Sequence, residues 1–110
     1  MRTRLNRQIE AILKELKREL KKLYGPRLER VILFGSWARE TATENSDLDV
    51  AVVLKNANLP GEEIDRMADI ITELNIKYNT LISIIPIDAE KVEYSTEPLL
   101  KNIKKEGIPV

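Results

Sequence analysis

The sequence predicts an α+β fold, α/β-like in the order of its elements, in which helices flank a small sheet. Two patterns predict it: apolar residues at helical spacings of three and four, and short continuous apolar runs between those segments. Glycine and proline lie between several of the segments. We expect a single domain over residues 1–110, because the sequence contains no linker, low-complexity tract or internal repeat. These patterns leave open whether the strands run parallel or antiparallel.

The first predicted helix covers residues 3–23 and is expected to end at Gly25 and Pro26. Its apolar side chains form one stripe: Leu5, Ile9, Ile12, Leu13, Leu16, Leu20 and Leu23. A first strand is predicted over residues 29–34, and it is apolar enough to be central in the sheet. We expect a short helical turn at residues 36–39.

A polar loop over residues 40–46 leads to the second predicted strand, residues 47–54. A turn at residues 56–61 follows it. The third predicted strand covers residues 80–85, and we expect Pro86 to end it because proline cannot donate a ladder hydrogen bond. Two more amphipathic helices are predicted at residues 62–78 and 97–106. Their apolar stripes are Ile64, Met67, Ala68, Ile71, Leu74 and Tyr78 in the first, and Leu99, Leu100 and Ile103 in the second.

The residue types present restrict the chemistry that the chain can perform. It has no cysteine and no histidine, which excludes disulfides, thiolate nucleophiles, imidazole bases and Ser-His-Asp triads. Carboxylates, hydroxyls, amines and a hard cation such as magnesium remain. No apolar stretch approaches the roughly 18 residues that a membrane span needs. The basic start is not followed by a signal-peptide pattern, so we expect a cytoplasmic protein.

Charge is balanced overall but unevenly distributed along the chain. Residues 1–30 hold ten Lys/Arg against four Asp/Glu, and residues 40–75 hold nine Asp/Glu against two Lys/Arg. Such blocks are typical of solvated helix faces. They are also compatible with a partner, a second subunit, or an anion bound with its metal.

Asp47 and Asp49 are the first candidate functional residues. Residues i and i+2 of a strand point to the same face, so the two carboxylates would repel each other there. A magnesium ion between them would remove that repulsion. An exposed strand end is the alternative explanation, and an isolated Asp-x-Asp pair does not distinguish the two.

Gly35 and Ser36 follow the first predicted strand and open a turn. A glycine there lets the backbone approach an anion closely, while the free N–H groups and the serine hydroxyl can donate to it. Alone, the pattern is equally typical of a turn with Ser36 as an N-cap. Ten residues separate Ser36 from Asp47, so both features can lie at one end of the sheet. Phosphoryl or nucleotidyl transfer needs that combination of phosphate cradle and metal ligands.

Together these residues resemble the signature of the DNA polymerase beta-like nucleotidyltransferase superfamily, which is Gly-Ser followed after a loop by Asp-x-Asp. The matching segments are Phe34-Gly35-Ser36-Trp37-Ala38-Arg39 and Ser46-Asp47-Leu48-Asp49-Val50. The short chain and its layout resemble the minimal nucleotidyltransferases of that superfamily. The resemblance implies a nucleotidyltransferase fold with a small mixed sheet flanked by helices.

The resemblance also implies an activity and roles for individual residues. ATP would be the substrate and Mg²⁺ the cofactor, and AMP would pass to a hydroxyl acceptor. Asp47 and Asp49 would be catalytic metal ligands in a two-metal site, and Gly35 and Ser36 would contact the triphosphate. Arg39 could meet a phosphate or cap the turn.

Ser46 completes the implied nucleotide site, and Trp37 is expected to have a packing role. Ser46 is expected to shape the loop next to the nucleotide, and Trp37 to pack over the turn. Two departures from the family stand beside these roles. Glu40 replaces the usual glycine. The third carboxylate that active members carry on a later strand is missing near Ser83, with Asp88 expected in a loop beyond that strand.

Small members of this kind are often antitoxins paired with a helical toxin of the HEPN class, in some cases modifying its tyrosine. The resemblance therefore implies a HEPN-type partner. A catalytically weak or inactive antitoxin that acts by contact stays an alternative, as does a transferase for a small molecule or RNA. The basic first helix lacks interleaved aromatic residues, which argues against nucleic acid. A homo-oligomer stays open.

Overall fold

A computed structural model of the chain describes residues 7–43 and 45–110. Its helices and strands follow the predicted order, except that the segment between the first two strands is a turn and not a helix and that two elements are added near the C-terminus. In order they are α1 (Arg7–Tyr24), β1 (Leu28–Phe34), β2 (Leu48–Leu54), α2 (Pro60–Tyr78), β3 (Ile82–Asp88), α3 (Ala89–Tyr94), α4 (Pro98–Glu106) and β4 (Ile108–Pro109).

The strands form one mixed sheet in the order β3-β2-β1-β4. β1 pairs antiparallel with β2 and with β4, while β2 pairs parallel with β3. The predicted α+β class, a small mixed sheet flanked by helices, is therefore confirmed. The parallel pair requires a crossover connection, and α2 supplies it.

Alternation along the strands divides the core into two layers. Leu48, Val50 and Val52 of β2 face the cluster that contains the buried side chains of α1 and α2. Ala51 and Val53 face the cluster that contains Val92 of α3 together with Leu100 and Ile103 of α4. Odd-numbered residues of β2 therefore point toward α3 and α4.

The stripe of α1 is confirmed for Ile9, Ile12, Leu13, Leu16 and Leu20, and Leu5 lies outside the described residues. The prediction that Leu23 belongs to this stripe is wrong. Leu23 is 42% exposed, because Tyr24 takes the inward position at the end of the helix.

α2 begins at Pro60, two residues before the predicted start, since proline is well suited to the first turn of a helix. Met67 and Leu74 are buried as predicted, but Ile64 is 48% exposed and Ala68 is also exposed. The acidic Glu63, 3% exposed, occupies the inward position of the first turn instead. The helix is therefore rotated relative to the predicted stripe.

Three side chains stabilise the buried carboxylate of Glu63, and two of them are cations. It accepts hydrogen bonds from Arg27 at 2.8 Å, from the Tyr24 hydroxyl at 3.0 Å and from Arg66 at 3.1 Å. Burial by itself would raise the pKa of the Glu63 carboxyl, but the hydrogen bonds from Arg27 and Tyr24 outweigh it and hold that pKa below its ordinary value. Burial and the bond to Glu63 raise the pKa of Tyr24 to about 12.

β3 continues through Pro86, so the prediction that Pro86 ends the strand is wrong. β3 is an edge strand, and there the missing N–H of proline can face away from the sheet without costing a ladder bond. Asp88 is the last residue of the strand rather than a loop residue. Its carboxylate accepts from the backbone N–H of Ala57 at 2.9 Å and of Glu90 at 3.1 Å, which caps α3.

The C-terminal part contains two elements that the sequence did not predict, the short α3 and the two-residue β4. In α4, Leu100 and Ile103 are buried as predicted, whereas Leu99 is exposed because it lies on the outer side of the helix. Within residues 7–43 and 45–110, no helix is both long and apolar enough to cross a membrane.

Candidate functional site

One row of three residues crosses the sheet at the end where β1 stops and β2 begins. Phe34 pairs with Asp49, and Asp49 pairs with Ser83. Paired residues of adjacent strands share a face, so all three side chains lie on the α3 and α4 side of the sheet. The next row, Ile32, Ala51 and Ile85, belongs to the core beneath those helices. The acid-bearing row is therefore at the open end of this face.

Gly35 lies directly against the carboxylate of Asp49. A Cβ added to Gly35 would overlap the Asp49 Oδ2 and come within 3.0 Å of the Asp49 Cγ and 3.1 Å of its Cβ, so the Asp49 side chain would have to shift. The φ angle of Gly35 is +75°, a left-handed conformation that side chains disfavour. The turn and the acidic strand meet because Gly35 has no side chain.

We expect Gly35→Ala to lower the free energy of unfolding by about 1–3 kcal/mol, because it combines a left-handed φ with a clash against Asp49. Gly61→Ala is the matched control: Gly61 lies in the first turn of α2, has nothing within 4 Å of its added Cβ and should keep wild-type stability or gain slightly. Urea unfolding of the three proteins measures the difference. Equal stability of Gly35→Ala and the wild type would contradict this packing.

Residues 35–40 form a hydrogen-bonded turn and not a helix. The Arg39 N–H donates to the Gly35 carbonyl at 3.1 Å, and the Thr41 N–H donates to the Ser36 carbonyl at 2.9 Å. In place of the predicted short helix there is thus one α-type turn, closed by Arg39, followed by a wider turn in which the Thr41 hydrogen bond spans five residues. The first N–H groups of such a turn have no partner within it and can bind an anion.

Trp37 and Ser46 connect this turn to the loop before β2. The Trp37 Nε1–H donates to the Ser46 carbonyl at 3.3 Å, and its ring packs against the α1 side of the core. The Ser46 Oγ accepts from the Thr43 N–H at 2.9 Å. Both residues therefore hold the loop in place, which agrees with the packing expected of Trp37 and the loop role expected of Ser46.

Arg39 is the cation of the site. Its side chain is 53% exposed, and its Nη1 lies 3.9 Å from the Glu106 carboxylate at the end of α4. Sequence reasoning missed Glu106, since nothing in a stretch of lysines and glutamates indicates that α4 ends beside the turn. The Arg39 charge also acts on Asp49.

The electrostatics of the two acids fit a bound cation. Burial raises the pKa of the Asp49 carboxyl, the nearby charge of Asp47 raises it further, and Arg39 opposes both without cancelling them. Asp47 itself is exposed just before β2. A partly buried carboxylate that repels its neighbour is stabilised when a divalent cation lies between them. The donor set therefore fits one such ion.

A third acid does not join this pair in the part of the chain that the structure describes, where no group of three acidic side chains could hold a metal ion. Ser83 occupies the position opposite Asp49, as the sequence suggested. Asp88 lies five residues further along β3, about 16 Å away at the usual rise of a strand. It caps α3 and lies too far from Asp49 to be a ligand of the same ion.

Comparisons with known proteins agree with one another. The family model described as a nucleotidyltransferase domain matches residues 13–109. A Methanocaldococcus jannaschii protein, named as a candidate protein adenylyltransferase, is 38% identical over 101 residues, covering 88% of this chain and 67% of that protein. The crystal structure of a candidate nucleotidyltransferase from Sulfolobus solfataricus aligns with a TM-score of 0.62 at 20% identity, over 96% of this chain and 86% of that one. A chain from a crystal structure of a toxin-antitoxin with AMP-PNP aligns with a TM-score of 0.59 at 21% identity, over 91% of this chain and 70% of that one.

Proposed function

The chain belongs to the nucleotidyltransferase domain family, and on that basis we propose that it binds Mg²⁺-ATP and transfers AMP to a hydroxyl group of a partner protein. We propose further that the acceptor is a tyrosine of a helical, HEPN-type toxin and that the chain is its antitoxin. The contact between Gly35 and Asp49 carries the proposal, because it brings a phosphate-binding turn against a metal-binding carboxylate.

Each site residue has a role in this proposal. The backbone of Gly35 and Ser36 donates to the triphosphate, and Arg39 exchanges its distant contact with Glu106 for a phosphate oxygen. Asp47 and Asp49 hold the cation, which neutralises charge on the triphosphate when bound. Ser46 stabilises the loop that precedes Asp47 and in this way helps to position that residue.

The reaction is an in-line displacement at the α-phosphorus. The acceptor oxygen forms a bond to that phosphorus, the bond to the bridging oxygen of the β-phosphate breaks, and pyrophosphate leaves. The acceptor proton passes to solvent or to a base on the partner. The row of Phe34, Asp49 and Ser83 lies at the open end of its face, which gives a partner protein access to the bound nucleotide.

The names of similar proteins support a protein acceptor. One relative is named as a protein adenylyltransferase, and one structural neighbour comes from a toxin-antitoxin structure. To test the proposal, the chain is incubated with Mg²⁺, ATP labelled at the α-phosphate and a helical protein of the HEPN type as the candidate partner. We expect label on the partner, mapped by mass spectrometry to a tyrosine. Label on neither protein, in a mixture where the two form a complex, would contradict the transferase activity.

A second function is favoured by the incomplete acid set of the site. The chain could neutralise its partner by contact alone, with the nucleotide site inactive. Neutralisation of the toxin by Asp49→Asn at wild-type strength would support contact, whereas loss of neutralisation with an intact complex would support catalysis.

A further inference from the structure

The acidic site has donors for one divalent cation, and residues 7–43 and 45–110 place no third carboxylate beside them for a second. Asp49 is the second residue of β2 and Asp47 lies just before that strand, and no third acid joins them in the residues described. Two cations at a transfer site are about 3.5–4 Å apart, each holding one of the reacting oxygens. Two carboxylates would then have to supply all the acidic protein ligands of both ions.

The position that would complete the site is defined by strand register. β3 runs parallel to β2, and Ser83 is the residue paired with Asp49. Adjacent strands are about 4.8 Å apart, so a carboxylate at this position would face Asp49 across one inter-strand gap. Ser83 itself is exposed and carries a neutral hydroxyl, which is a weak ligand for a hard cation.

Two other carboxylates, those of Glu106 and Asp88, have partners of their own. Glu106 lies 3.9 Å from Arg39 at the end of α4. Asp88 is engaged by the N–H groups of Ala57 and Glu90 at the opposite end of β3. Asp88 cannot reach Asp49 without breaking its two hydrogen bonds, and Glu106 lies beside Arg39 and not beside the acidic pair.

We propose that the acidic site of this chain binds a single cation, the ion that arrives with the nucleoside triphosphate. Ser83 stands at the position where a carboxylate would be needed, and it therefore prevents a second ion from binding. This inference rests on the proposed function for the presence of a nucleotide. It concerns the number of ions and does not depend on the identity of the acceptor. Any further neutralisation at the reacting oxygens must then come from the partner.

Counting bound Mn²⁺ tests the inference without measuring activity. The protein is saturated with an ATP analogue in which a methylene group replaces the α,β-bridging oxygen, and bound Mn²⁺ is measured by electron paramagnetic resonance. We expect one ion per chain in the wild type. Ser83→Asp should bind two, with an affinity for the second ion raised roughly tenfold or more by the added charged ligand.

Ser83→Asn is the matched control, because asparagine has the size of aspartate without its charge and should bind one ion. Ser83→Glu serves as a second acidic variant in case the first is poorly folded. Two ions on the wild type would overturn the inference and leave the proposed function standing. A single ion on both acidic variants would overturn the role of Ser83. Absence of both nucleotide and Mn²⁺ from the wild type would overturn the proposed function, and the inference with it.

Discussion

Asp49→Asn is expected to lower the rate of AMP transfer by about 10³-fold or more, because it removes one of two carboxylates that hold the cation on the triphosphate. The substitution keeps the size of the side chain against Gly35, so the fold should not change. Burial and the charge of Asp47 raise the pKa of the Asp49 carboxyl, which means that folding disfavours its charged form. The metal-free variant should therefore be at least as stable as the wild type at neutral pH.

Transfer of label from ATP measures this effect, with Asp65→Asn as the matched control. Asp65 is an exposed acid on α2, the helix on the opposite face of the sheet, and its loss should leave the rate unchanged. Wild-type transfer by Asp49→Asn would show that the acidic pair is not the metal site. A variant that is inactive because it is unfolded would be recognised from its circular dichroism spectrum.

Glu63→Ala is expected to produce the largest loss of stability, about 3 kcal/mol in the free energy of unfolding. The substitution leaves the buried Tyr24 hydroxyl only its longer hydrogen bond, 3.4 Å, to the backbone carbonyl of residue 63, and it separates Arg27 from its closest anion. Arg27 and Arg66 both reach solvent. The expected loss of stability is therefore near the lower end of the range for breaking a buried ion pair. Glu62→Ala, one residue away on the exposed side of α2, should change the stability by less than about 0.5 kcal/mol.

The same carboxylate gives the stability a pH dependence. Its pKa is lower in the folded chain than in the unfolded one, so its contribution is complete above the unfolded value, near 4.5, and is lost as the pH falls through the folded value. Urea unfolding between about pH 5 and pH 3 should show a steeper loss of stability in the wild type than in Glu63→Gln. Equal slopes would contradict the role of Glu63.

The parts of the fold that local patterns determine were predictable from the sequence. The stripe of α1 and the apolar run of β2 are confirmed because a period of three to four, or a continuous apolar run, fixes an element wherever it packs. Pro86 misled the prediction because its effect depends on whether a strand lies at the edge of the sheet, which no local pattern reveals. Glu63 misled it because burial of an acid depends on Arg27 and Tyr24, distant in sequence.

The residues of the candidate site also fall into those that local sequence patterns reveal and those that depend on the fold. Gly35, Ser36, Asp47 and Asp49 were identifiable because one hairpin connection brings them together within 15 residues of sequence. The row that joins Asp49 to Ser83 needed the register of β2 against β3, which the α2 crossover sets. The acidic first turn at Asp88 and Glu90 was a readable N-cap signal for α3 that the sequence interpretation did not use.

The position of a bound cation tests the central claim most directly. Crystals grown with Mn²⁺ and the methylene analogue of ATP would locate the ion by anomalous scattering. We predict a peak coordinated by carboxylate oxygens of both Asp47 and Asp49, with the triphosphate against the N–H groups that follow Gly35. A nucleotide bound elsewhere on the chain, or a peak that neither carboxylate touches, would contradict the account.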